Sequence, residues 1–287
     1  MIVAALFLVV LPHTVQGTAA APRLERDVLY RTVDGVELRL DALVPPGDGP
    51  FPAVLLVHGG AWMHGDRSQM SELAELLVVH GFACFSNSYR LAPAHRWPAQ
   101  IEDCRYALQF VRANAARFHV DPARFGALGP SAGGHLVEML AVLDEARRPD
   151  DPDPVLRQSS RLSCVVPYFG PSVLTRGHDY DFDTLPPPEL FPEGATDADY
   201  AAASPLTFVT ADDPPFFLVH GDADDAVPVQ HSKLMDERLR AAGVSSELCL
   251  VAGGGHGDFL ASDPQGAYWK RTLAFLEERL APRAPGK

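Results

Sequence analysis

A serine hydroxyl attacks carbon at neutral pH only when a histidine takes its proton and a carboxylate fixes that histidine's tautomer. The chain of 287 residues carries all three groups in short loop-like stretches. Ser131 lies in Gly129-Pro130-Ser131-Ala132-Gly133-Gly134, a GxSxG pattern whose small residues let the backbone turn sharply around the serine. His256 lies in AGGGHGDF at 252–259, and Asp222, Asp224 and Asp225 crowd GDADDAVP at 221–228. Asp224 is the expected partner of His256, with Asp222 and Asp225 expected as turn or helix-cap residues. Attack on a carbonyl also builds an oxyanion, which preorganised N–H groups must meet. His58-Gly59-Gly60-Ala61-Trp62 has the glycines to turn such donors inward, and the amide of Ala132, next after the serine, supplies another. Together these groups imply acyl transfer through a covalent intermediate.

Such groups need rigid elements to hold them, and the apolar patterning supplies candidates. AVLLV 53–57, FACFS 82–86, RFGAL 124–128, LSCVVPY 162–168, FFLVH 216–220 and ELCLV 247–251 lack period-two alternation. They read as strands buried on both faces. Helical spacing marks 71–81, 99–118, 229–243 and 264–280, with a further helix directly after Ser131. This alternation predicts an α/β fold with a mostly parallel sheet covered by helices on both faces. VLYRTV 28–33 and VELRLDALV 36–44, joined by Asp34-Gly35, predict an antiparallel hairpin at the sheet edge. The Pro-rich stretch 171–207 is too long for an ordinary connection and is expected as a cap or lid inserted into a single domain spanning 21–287. Ligands bind beyond the carboxyl ends of strands in such sheets, which is where the polar motifs fall.

Composition narrows the partners. Lys and Arg number 24 against 37 Asp and Glu, a formal net charge of −13, which repels phosphate backbones and disfavours nucleic acid. The acidic stretch RRPDDPDP 147–154 reads as a solvated loop. The four cysteines, Cys84, Cys104, Cys164 and Cys249, show no metal or CxxC spacing and are expected as free thiols, with no metal and no cofactor required. Ile2 to Leu11 form an apolar run followed by small residues, which predicts a signal peptide over 1–20 and a secreted or periplasmic destination. That run is too short for a membrane span, and its flank lacks Lys and Arg, so cytoplasmic residence is the alternative. No feature fixes an oligomeric state.

HGGAW 58–62, YRLAP 89–93 with WPAQIEDC behind it, GPSAGGH, HGDADDAVP and GGGHGDF occur in one order along the chain. In that order they resemble the α/β-hydrolase serine esterases of the hormone-sensitive-lipase-like group, near the feruloyl and acetyl esterase-like (BD-FAE-like) branch, from about Asp41 to the C-terminal helix. The resemblance implies Ser131 as nucleophile, His256 as base, Asp224 as orienting acid, and Gly60, Ala61 and Ala132 as oxyanion donors, with Gly59 an alternative to Ala61. It implies structural roles for Tyr89, Arg90 and Asp103, and a small-molecule ester of short acyl chain as substrate. Trp62, Tyr168, Phe169 and Phe191 are expected as apolar pocket walls, although each also reads as core. His220 is expected as a hydrogen-bonded core residue. The pattern departs at Pro130, where relatives carry a polar residue; proline fits the strand end but removes a polar side chain, making it a candidate influence on substrate preference. A formamidase or peptidase on the same triad is the alternative chemistry. A non-catalytic ligand-binding protein is the alternative of another class, and it would be marked by loss of one triad residue, which this chain does not show.

Overall fold

Strands that are apolar on both faces must be covered on both faces, and the chain does this by alternating them with helices. The structure, a computed structural model, describes residues 20–174, 186–263 and 265–282. Most of the expected signal peptide, residues 1–19, and the centre of the expected cap, residues 175–185, lie outside the described residues. The strands are β1 (Arg23–Val33), β2 (Val36–Val44), β3 (Phe51–Val57), β4 (Ala83–Asn87), β5 (Val120–Pro130), β6 (Cys164–Tyr168), β7 (Phe216–Gly221) and β8 (Ser246–Val251). The helices are α1 (Ser71–Val78), α2 (Ala99–Ala113), α3 (Ala115–Phe118), α4 (Ala132–Val142), α5 (Asp197–Ala201), α6 (Gln230–Ala241), α7 (Asp258–Ser262) and α8 (Ala267–Arg279).

The strands form one eight-stranded sheet in the order β1-β2-β4-β3-β5-β6-β7-β8. The β1–β2 hairpin runs antiparallel at one edge, β2 pairs antiparallel with β4, and every pairing from β4 onward is parallel. Core side chains lie on both faces: Leu55, Phe85, Phe125 and Leu136 on one, Leu56, Leu128, Val166 and Phe217 on the other. Each such fully buried side chain contributes about 1.5–3 kcal/mol by leaving water. The apolar run of β8 departs from expectation. It is the far edge strand, half-buried along most of its length, with Leu250 43% exposed, because among the described residues no further strand pairs with its outer edge. The predicted helix 99–118 breaks at Asn114, which leaves helical geometry between α2 and α3.

Cys84, Cys104 and Cys164 are buried free thiols whose pKa values burial pushes up, to about 12 for Cys164, while Cys249 is half-buried. Among the described residues no helix is long and apolar enough to cross a membrane.

Candidate active site

Four loops leave the carboxyl ends of β3, β5, β7 and β8 and meet above the sheet. The tightest follows β5. Ser131 connects β5 to α4 with φ 55° and ψ −123°, a left-handed conformation that a side-chain-bearing residue adopts only when its surroundings impose it. Its N–H donates to the Tyr168 carbonyl at 2.8 Å, and its own carbonyl accepts from His135 N–H at 3.0 Å. A Cβ at Gly133 would collide with the carbonyls of Val57 and His58, and one at Gly129 with the Gly133 carbonyl. The glycines flanking the serine therefore reflect close backbone packing of the β3 and β5 ends.

His256 Nε2 lies 3.0 Å from Ser131 Oγ, and His256 Nδ1 lies 2.8 Å from Asp224 Oδ2. The three expected residues thus form one hydrogen-bonded chain. Asp224 Oδ1 accepts from the N–H groups of Ala226 and Val227 at 2.9 and 2.8 Å. Its side chain is fully buried, and burial alone would raise its pKa, but bonds from His220, the Val227 amide and His256 outweigh this and hold it down at about 2. The carboxylate is therefore charged and locked in place. Asp222 is exposed and accepts from Gly253 N–H at 2.6 Å, tying the aspartate loop to the histidine loop, whereas Asp225 is exposed.

His220 is fully buried at the end of β7, bonded to Ser232 Oγ and the Val227 carbonyl, and its Nε2 is 3.3 Å from Asp224 Oδ2. It is a core residue as its position suggested, but it also gives Asp224 a second imidazole neighbour.

The β3 loop is shaped by strain of the same kind. Gly60, Ala61 and Trp62 have φ of 107°, 51° and 60°. The Gly60 carbonyl accepts from Met63 and His64 N–H, closing a tight turn. Among the described residues the N–H groups of Gly60 and Ala61 find no acceptor, and the N–H of Ala132, first in α4, has none within its helix. Ala61 and Ala132 line the same cavity as Ser131 and His256. Tyr89 braces this loop from below: its ring stacks on His58 at 4.2 Å and its hydroxyl donates to the His58 carbonyl at 3.0 Å. Arg90 and Arg31 both bond the fully buried Asp103, anchoring the segment that carries Tyr89 to α2 and the edge hairpin.

The cavity measures about 200 Å³. Besides the residues already named, Trp62, Val227 and, from the inserted stretch, Leu174, Pro186 and Pro187 wall it. Of the four aromatic residues expected as walls, only Trp62 lies there. Tyr168 is buried under the sheet, bonding Thr272 Oγ1 at 2.7 Å. Phe169 presents its ring to the edge of His256 at 4.8 Å, so it packs the histidine rather than substrate space. Phe191 is buried against Tyr200 at 4.4 Å. The walls that sequence reasoning missed are prolines and small aliphatics in irregular backbone, which carry no periodic signal. Pro130 also lies elsewhere: with Leu73, Leu128, Tyr168 and Trp269 it lines a separate cleft of about 180 Å³ on the α1 and α8 side.

This strand order, with a strained serine between β5 and its helix and the acid and histidine after β7 and β8, is the α/β-hydrolase fold. The BD-FAE family model matches residues 40–239, and the chain belongs to that family. It is 32% identical over 256 residues to Esterase LipC of Mycobacterium tuberculosis (strain ATCC 25618 / H37Rv), a match covering 82% of this chain and 60% of LipC. The chain spans about half to three fifths of the length of such curated relatives. Two solved structures superpose with TM-score 0.80: a truncated carbohydrate esterase from gut microbiota (26% identity, 92% of this chain, 98% of that one) and an acetyl ester-xyloside bifunctional hydrolase from Caldicellulosiruptor lactoaceticus (25% identity, 92% and 98%).

Proposed function

We propose that the protein is a serine hydrolase that cleaves short-acyl carboxylic esters through an acyl-enzyme. The observation that carries this reading is the hydrogen-bonded chain from Asp224 through His256 to Ser131 Oγ, opening onto a cavity lined by Ala61 and Ala132, whose N–H groups find no acceptor among the described residues. In the first half-reaction His256 Nε2 takes the Ser131 hydroxyl proton as Oγ bonds the ester carbonyl carbon. The oxyanion that forms accepts hydrogen bonds from the N–H groups of Ala132 and of Ala61 or Gly60. Collapse expels the alcohol, which takes the proton from His256. In the second half-reaction His256 deprotonates a water that attacks the acyl carbon, and Ser131 recovers its proton as the acid leaves. Asp224 stays ionised throughout and stabilises the histidine cation.

The size of the cavity supports small acyl groups, since about 200 Å³ falls below the ~300–1,000 Å³ typical of drug-sized ligand sites. The solved relatives named for carbohydrate and acetyl esters support an acetyl or similar short ester of a sugar. A panel of chromogenic esters with acyl chains of two to twelve carbons, beside acetylated xylan, tests this. The expected result is turnover that peaks at two to four carbons and vanishes in Ser131→Ala. Turnover that rises toward long chains overturns the small-pocket reading, and turnover that survives Ser131→Ala overturns the mechanism.

A further inference from the structure

We infer that His135 is a positioning residue that sets ester preference by holding Trp62 as the wall of the cavity. His135 sits one helical turn after Ser131 on α4 and is fully buried. Its Nδ1 is 3.1 Å from the indole Nε1 of Trp62, and its Nε2 is 2.7 Å from the carbonyl oxygen of Ala203, just past α5. An indole nitrogen only donates and a carbonyl only accepts, so the ring must be neutral with its proton on Nε2. Burial outweighs the bond to Ala203 and brings its pKa down to about 4, so this tautomer holds through neutral pH. The ring meets Trp62 edge-on at 5.1 Å and Trp97 at 5.5 Å.

One imidazole therefore joins the β3 loop, the helix behind the serine, the segment before α2 and the inserted stretch. Trp62 needs such a hold. Its φ of 60° is strained, and its backbone carbonyl accepts from Ala92 N–H at 3.0 Å. Trp62 lines the cavity beside Ala61 and Ser131. Freeing the indole would let that wall move without touching Ser131, His256 or Asp224. The consequence is a change in which acyl groups fit, and not in the chemistry once they are bound.

This inference rests on the ester-hydrolase reading, and the experiment separates the two. Wild type, His135→Phe, His135→Asn and His135→Gln are compared on acetyl and hexanoyl chromogenic esters, with Ser131 labelling by a fluorophosphonate as the integrity check. Phenylalanine keeps the ring shape and removes both bonds. Asparagine places an oxygen near the former Nδ1 and restores the acceptor for Trp62, whereas glutamine reaches toward Ala203 instead. The expected result for His135→Phe is an acetyl-ester KM raised about tenfold, kcat within about threefold, and a flattened acetyl-to-hexanoyl ratio. His135→Asn is expected to restore most of the ratio, and His135→Gln is not. An unchanged ratio in His135→Phe, or equal effects in His135→Asn and His135→Gln, overturns the inference. Should His135→Phe fail to fold, the asparagine and glutamine pair decides alone. A wild type that hydrolyses neither ester and takes no label defeats the functional reading itself.

Discussion

Replacing Asp224 by asparagine separates the electrical role of the carboxylate from its structural one. Oδ1 accepts two backbone N–H bonds, from Ala226 and Val227, while Oδ2 faces His256 Nδ1 at 2.8 Å and His220 Nε2 at 3.3 Å. An amide has one acceptor oxygen and one donor nitrogen. Turning the nitrogen toward the two backbone amides would set donor against donor twice, so the oxygen stays on them and the NH2 faces His256. His256 Nδ1 must then accept, which moves its proton to Nε2, the nitrogen 3.0 Å from Ser131 Oγ. In that tautomer it cannot take the serine's proton. The expected loss in kcat is about 10⁴-fold, the size the same change causes in serine proteases of unrelated fold. That equals about 5.5 kcal/mol of barrier.

Stability is expected to fall by up to about 2 kcal/mol near neutral pH, since the backbone bonds survive but the charged bonds to His256 and His220 do not. The held-down pKa sets a further sign. Because the folded-state value of about 2 lies below the ordinary 3.8, the carboxylate's stabilisation is present above pH 3.8 and is lost as pH falls toward 2, and Asp224→Asn lacks this acid limb. Steady-state hydrolysis of a chromogenic acetyl ester and urea unfolding at several pH values measure both effects. A loss under tenfold would refute the tautomer argument and turn attention to Asp222 or Asp225.

Ser131→Gly is expected to abolish activity while unfolding at higher denaturant than Ser131→Ala, by about 1 kcal/mol, because glycine relieves the left-handed backbone at the cost of its own chain entropy. Chemical denaturation of the two variants checks this, and equal midpoints would show that the backbone there is unstrained. Glu138 on α4 is fully buried, neither carboxyl oxygen has a hydrogen-bond partner among the described residues, and burial lifts its pKa far above the ordinary 4.5. Glu138→Met is therefore expected to gain on the order of 1–3 kcal/mol at neutral pH. Since an acid with a raised folded pKa loses stability as pH climbs above its unfolded value, the gain should grow with pH above 4.5. A variant less stable than wild type at pH 8 contradicts it. Asp103→Ala leaves Arg90 buried without its main partner and is expected to cost about 3–5 kcal/mol in thermal unfolding.

Much of this architecture was legible in the residues because the sheet is buried on both faces and its strands read as unbroken apolar runs. The elbow at Ser131 was legible for a related reason: glycines two before and two after it are required by backbone contacts with β3. Asp224 stood among three acids, and what separates it is burial under Val227 and His220, which depends on how the loop folds back. The pocket walls were read poorly. Aromatic residues near strand ends attract attention, yet Tyr168 and Phe191 turn into the core and Phe169 onto His256, while prolines and aliphatics of the inserted stretch do the walling. The role of His135 was hidden because its partners, Trp62 and Ala203, lie 73 and 68 positions away. Pro130 looked like a selectivity element from its place beside the serine, but strand alternation sends its ring to the opposite side.

The central claim is that Ser131 is a nucleophile activated by His256. Fluorophosphonate treatment of the folded protein, followed by mass mapping of the adduct, tests it most directly. The expected result is a single adduct on the peptide containing Ser131, formed about 100-fold or more faster than in His256→Ala. No adduct on folded wild type, or an equal rate in His256→Ala, would contradict it.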